Sequence, residues 1–119
     1  TWEFKLRKGV KWHDGSDFTA EDVVATIKRI PTVPNSPASF ATYTRPIADV
    51  TAVDKLTLRI KTLRPHPLLP NDLVAVRIVP AKLAAAAKTE EFNSGKLMIG
   101  TGPFKFKEYV AGDRVVLER

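Results

Sequence analysis

Few side chains in this sequence are suited to acid–base or metal chemistry. There are two histidines, His13 and His66, and no cysteine. His13 precedes Asp14 in a turn, and His66 stands between Pro65 and Pro67. Neither has a second histidine at the HxH or HxxxH spacing that brings two imidazoles to one metal ion. The lack of cysteine excludes a thiol nucleophile, a cysteine-type zinc site and a disulfide framework. No GxSxG elbow is present, and His13 with Asp14 has no evident nucleophile to activate. Gly100-Thr101-Gly102 resembles the start of a phosphate-cradling loop, but Lys105 stands where a third glycine is needed. A strand pattern also follows it, where phosphate binding requires a helix N-terminus. The glycines are read as a tight turn, and no enzyme, metal or cofactor is expected.

The aromatic residues divide into two sets. Trp2, Phe4, Trp12 and Phe18 gather at the start, and Trp2 and Phe4 share one strand face, a core arrangement. Phe40 and Tyr43 lie three apart in a proline-rich segment that must run over the surface. They are the candidate cleft-lining groups.

These side chains sit in a chain of 119 residues and 13.2 kDa, 44% hydrophobic and 27% charged, an ordinary globular composition. No run approaches the ~18 uncharged apolar residues of a membrane span. The net charge is +6, with nine basic and seven acidic residues up to residue 59 and ten and six beyond it. Nucleic-acid binding usually needs a concentrated basic patch; Lys5, Lys11, Lys105 and Lys107 with Trp2 and Phe106 are the residues such a module would use. That module is kept as the alternative reading. The chain starts at Thr1 without a leader and ends inside an alternating pattern, so a fragment of a longer protein is expected.

The supporting elements follow from patterning. Residues 2–7 alternate large apolar with charged side chains, a strand with one buried face, continuing loosely to Trp12. Asp14-Gly15 forms a turn. Thr19 and Asp22 make a helix N-cap pair, Val23, Val24, Ile27 and Ile30 follow at helical spacing, and Pro31 stops the helix. Residues 31–46 read as an ordered loop with a helical turn near 39–43. Residues 50–53 and 56–61 form a hairpin, 65–70 a loop or helical turn, and 73–79 a helix end or a strand. Pro80 opens a helix to Lys88, residues 90–96 are polar and exposed, and 104–110 with 114–118 form a second hairpin. Strands joined by hairpins and mixed with helices indicate an α+β fold.

The order of these blocks resembles one family. Leu6-Arg7-Lys8-Gly9-Val10-Lys11-Trp12-His13-Asp14-Gly15, then Phe18-Thr19-Ala20-Glu21-Asp22-Val23, is similar to a signature of extracytoplasmic solute-binding proteins of ABC importers, of the oligopeptide, dipeptide and nickel type (family 5). Ile47-Ala48-Asp49-Val50, the following hairpin, Gly100-Thr101-Gly102-Pro103-Phe104 and Gly112-Asp113-Arg114-Val115-Val116-Leu117-Glu118-Arg119 extend the resemblance over essentially the whole chain.

The resemblance implies a part of the N-terminal lobe of a two-lobed periplasmic-binding-protein fold. Residues 1–99 correspond to its accessory subdomain, and 100–119 to the first returning strands of the main lobe, truncated. It implies capture of peptides or similar small solutes outside the cytoplasm, for a membrane permease, with neither nucleic acid nor cofactor. In such proteins the loop after the first helix approaches the cleft. Ser36, Phe40 and Tyr43 are therefore the ligand-contacting candidates, with Ala38 near where some peptide binders carry a larger ring. With sheet partners absent, the 103–118 hairpin is expected to pair within the chain or with a second copy.

Overall fold

The computed structural model describes residues 1–36 and 39–119. β1 (Trp2–Lys5), β2 (Ile47–Asp54) and β3 (Thr57–Thr62) form an antiparallel sheet in the order β1-β3-β2. The register pairs Trp2 with Ile60, Phe4 with Leu58, Val50 with Ile60 and Ala52 with Leu58. Because side chains alternate along a strand, one sheet face is apolar. The other carries Glu3 opposite Arg59, and Glu3 bridges Lys5 at 3.2 Å and Arg59 at 3.3 Å.

Helix α1 (Ala20–Arg29) covers the apolar face. Ala20, Val23, Val24 and Ile27 fall at the i, i+3, i+4, i+7 spacing of one helical stripe and pack with Val50, Leu58, Ile60 and Leu69 as the buried core. Trp2 and Phe4 stack at 6.0 Å between ring centroids and pack partly buried against that core. Trp12 is buried, its ring 5.5 Å from Phe18, which fills the space beside α1.

Several expected boundaries move. The first strand ends at Lys5, and Gly9 at φ +74° turns the chain, leaving Lys11 with only an isolated bridge to Asp17. Pro31 ends the α-helix but sits inside a 3₁₀ turn, Ile30–Thr32, where its missing N–H costs nothing. A short α2 (Ala41–Thr44) forms the anticipated helical turn, and β2 begins earlier than expected, at Ile47. Between the sheet strands the turn lies at Lys55 and Leu56, whose N–H donates to the Asp54 carboxylate at 2.8 Å.

Helix α3 (Leu69–Leu73) precedes an irregular stretch over 76–80, so the expected helix end or strand at 73–79 is neither beyond its first residue. Helix α4 (Ala81–Ala86) ends sooner than the alanine run suggests, and α5 (Thr89–Asn93) occupies part of the stretch read as polar and exposed. The Lys88 N–H donates to Glu91 at 2.8 Å and starts that helix.

The second hairpin, β4 (Lys105–Val110) with β5 (Arg114–Glu118), is a separate two-stranded sheet. Phe106 pairs with Leu117 and Tyr109 with Val115 on one side, around an irregularity between Phe106 and Glu108. Phe106 lies against Gly95, where an added Cβ would meet its ring at 2.7 Å. Tyr109, Val115 and Leu117 remain about half exposed. Among the described residues no helix is long and apolar enough to cross a membrane.

Candidate functional site

The stripe that buries α1 against the sheet leaves its adjacent face to organise a different region. Asp22 and Thr26, one helical turn apart, both reach the segment 79–81. The Thr26 hydroxyl accepts the Val79 N–H at 3.0 Å and donates to the Val79 carbonyl at 3.2 Å. The Asp22 carboxylate accepts the Ala81 N–H at 2.7 Å. It also takes the Trp12 indole N–H at 3.1 Å and the Thr19 N–H at 2.8 Å. This buried carboxylate has no cation in contact among the described residues; three N–H donors compensate its desolvation.

With Val79 and Ala81 held there, a cavity of about 230 Å³ opens between residues 76–79, the C-terminal end of α1 and the loop that follows. It is lined by Thr26, Arg29 and Ile30 at the helix end, by Val33, Ser36 and Phe40 from the following loop, and by Val76, Arg77 and Val79. The walls are mainly aliphatic and aromatic, and among the described residues the lining holds no carboxylate. Phe40 is 47% exposed, so its ring still offers a face.

Ser36 and Phe40 thus share one cavity. Tyr43 does not line it; its ring lies 6.0 Å from that of Phe40, inclined at 36°. Ser39 accepts the Ala41 N–H at 3.2 Å and so helps start α2. Ala38 lies outside the described residues. Val33, Val76, Arg77 and Val79 were not anticipated, since none belongs to a motif and the expected regular structure at 73–79 hid their convergence.

The two arginines differ. Arg29 places its guanidinium 4.8 Å from the centre of the Phe92 ring, a cation–π contact directed toward α5. Arg77 donates from Nη1 to the Val74 carbonyl at 2.8 Å. Neither makes an ion pair among the described residues.

The histidines have other work. The Gly100 N–H donates to His13 Nδ1 at 3.1 Å, which makes Nε2 the protonated nitrogen donating to the Gly102 carbonyl at 2.8 Å. The His13 N–H donates to the Gly100 carbonyl at 2.9 Å, so His13 ties the first turn to the glycine turn before β4. A Cβ on Gly100 would meet His13 Cε1 at 3.3 Å. His66 contacts the Asp72 carboxylate at 2.7 Å. The described residues contain no group of three or more His, Cys, Asp or Glu placed to hold a metal ion.

The basic residues of the nucleic-acid alternative are mostly engaged with acids. Lys5 pairs with Glu3, Lys11 with Asp17, and Lys107 with Glu118. Lys105 and Lys107 stand on a different sheet from Lys5.

Over residues 1–119 the sequence matches the family described as bacterial extracellular solute-binding proteins, family 5 middle. The chain belongs to this family. It is 32% identical over 136 residues to the periplasmic oligopeptide-binding protein OppA of Escherichia coli, a match covering 99% of this chain and 25% of OppA. Among solved structures it resembles the ABC transporter substrate-binding protein CtaP from Listeria monocytogenes, with 33% identity and a TM-score of 0.82 over 98% of this chain and 25% of that one. The oligopeptide-binding protein AppA from Bacillus subtilis, solved in complex with a nonapeptide, gives 27% identity and a TM-score of 0.81 over 98% and 24%. This family 5 chain therefore spans about a quarter of the length of these relatives. Its cavity and its α+β fold are features of that portion.

Proposed function

We propose that this chain is one wall of the solute-capturing cleft in the substrate-binding component of an ABC importer, which takes peptides or similar small solutes. The observation that carries the reading is the cavity between Phe40 and residues 76–79, in a chain matching peptide-binding relatives over its whole length. An apolar side chain of the solute enters there, and burying it contributes about 1–2 kcal/mol. Ser36 and Phe40 contact it directly, and Tyr43 supports the Phe40 ring. The protein acts by binding and release without covalent chemistry or a cofactor, in the periplasm or an equivalent extracytoplasmic space, and passes its solute to a membrane permease.

Within this reading residues 1–99 form an accessory subdomain of the N-terminal lobe, and 100–119 the first strands returning to that lobe. The opposing lobe supplies the remaining ligand contacts. The apolar side of the β4–β5 hairpin, covered in the longer protein, drives self-association when the chain is isolated.

Calorimetric titration with a peptide mixture tests the reading, comparing the 119-residue chain with the longer solute-binding protein that carries it. Tight binding belongs to the longer protein; tight binding by the chain alone sinks the proposal.

A further inference from the structure

We propose that Arg77 is a specificity-determining residue, selecting solutes that carry a carboxylate beside an apolar group. The inference rests on the reading of this cavity as a ligand-contacting surface and adds a chemical class to it.

Three features carry it. The cavity lining of Val33, Phe40, Val76 and Val79 accepts an apolar group, while among the described residues the lining contains cations and no anion. Of the two arginines, Arg29 is drawn toward Phe92, which leaves Arg77 as the guanidinium not engaged by an aromatic ring. Arg77 is braced rather than neutralised: one Nη1 hydrogen bond to the Val74 carbonyl at 2.8 Å orients it, and no carboxylate among the described residues pairs with it.

A guanidinium has five N–H donors, so most remain for a planar acceptor. A carboxylate matches that fork, and the bond is stronger than one to a neutral amide. An aliphatic acid thus places its chain between Phe40 and Val76 and its carboxylate toward Arg77.

NMR titration of the longer solute-binding protein that carries this chain, with isocaproate and with isocaproamide, which differ only in the charged group, tests this. Acetate controls for general attraction to a chain of net charge +6. Isocaproate is expected to shift the resonances of Phe40, Val76 and Val79 and to bind about tenfold more tightly than the amide. Arg77→Gln is expected to erase that preference, and Arg77→Lys to restore part of it.

A preference that survives in Arg77→Gln overturns the assignment. Equal binding of acid and amide, both weakened by Phe40→Ala, overturns the selectivity while the contact surface stands. If neither probe moves the cavity resonances, the contact surface itself fails and the selectivity falls with it.

Discussion

The Asp22 carboxylate accepts the backbone N–H of Ala81 at 2.7 Å, joining the first turn of α1 to the first residue of α4 across 59 positions of sequence. The same carboxylate takes the Trp12 indole and the Thr19 N–H. One buried acid therefore fixes the turn before α1, the start of α1 and the end of the cavity wall at 79–81.

Asp22→Asn puts an amide NH₂ toward donors and loses the charge-assisted bonds. A loss of about 2–3 kcal/mol in folding stability is expected from urea denaturation. Asp22→Leu should cost at least as much, because the three donors lose their acceptor. A change under about 0.5 kcal/mol in both variants would remove Asp22 from its organising role.

Thr26→Val keeps the shape of the side chain but leaves the half-buried Val79 N–H without an acceptor. The expected cost is about 1–2 kcal/mol, with a larger effect on the cavity than on the sheet. Amide hydrogen exchange at Val79 and Ala81 should accelerate well before exchange at Ile60. Uniform acceleration would show that the cavity wall is not separately held.

His13→Ala removes the acceptor for the Gly100 N–H and the donor to the Gly102 carbonyl. The Gly100 amide should exchange about tenfold faster while Leu58 and Ile60 keep their protection. Unchanged protection at Gly100 would mean that the backbone bond from His13 to Gly100 is sufficient alone.

Acid should weaken the fold through its surface carboxylates. The Lys82 ammonium and the two Ser16 bonds hold Asp14 well below the usual carboxylate range. Lys5 and Arg59 lower Glu3, Lys11 lowers Asp17, and the Leu56 N–H lowers Asp54. A carboxyl more acidic in the folded than in the unfolded chain adds stability that is complete above the unfolded value near ~4. That contribution fades as pH falls through the folded values. The thermal midpoint should therefore be flat from about pH 7 to 5 and decline below about pH 4, and Lys82→Met should flatten part of the decline. These groups are exposed, so each share is small. A midpoint that rises on acidification contradicts the assignment.

The β4–β5 hairpin predicts concentration-dependent self-association of the isolated chain. Light scattering should report a mass above 13.2 kDa that falls to the monomer value in Leu117→Lys with Tyr109→Lys. These residues project from one side of the hairpin and are about half exposed, so the substitutions leave the main core intact. A wild-type chain that stays monomeric at every concentration removes the hairpin as a contact surface.

Periodicity made the main packing unit legible from sequence. Val23, Val24 and Ile27 at helical spacing and the alternation through Phe4 and Leu58 specified which faces meet, because burial rewards only one phase of each pattern. The irregular segments were less legible. Residues 76–79 have no period of their own; Thr26 holds Val79 and Asp22 holds Ala81 just beyond it, and such long-range bonds leave no local trace. Phe40 was identifiable as a surface aromatic in a loop, but its cavity partners Val33, Val76 and Arg77 depend on that remote clamp. α5 is not legible in the sequence because its start rests on the Lys88 N–H donating to the Glu91 carboxylate, and lysine is not a residue type favoured at helix starts.

The wall-of-a-cleft reading is tested most directly by calorimetric peptide titration of the longer solute-binding protein with Phe40→Ala, beside Val53→Ala as a control. Val53 is a half-exposed residue of the sheet outside the cavity. Phe40→Ala should weaken binding about tenfold or more, and Val53→Ala should leave it unchanged. Equal affinity of wild type and Phe40→Ala would contradict the account.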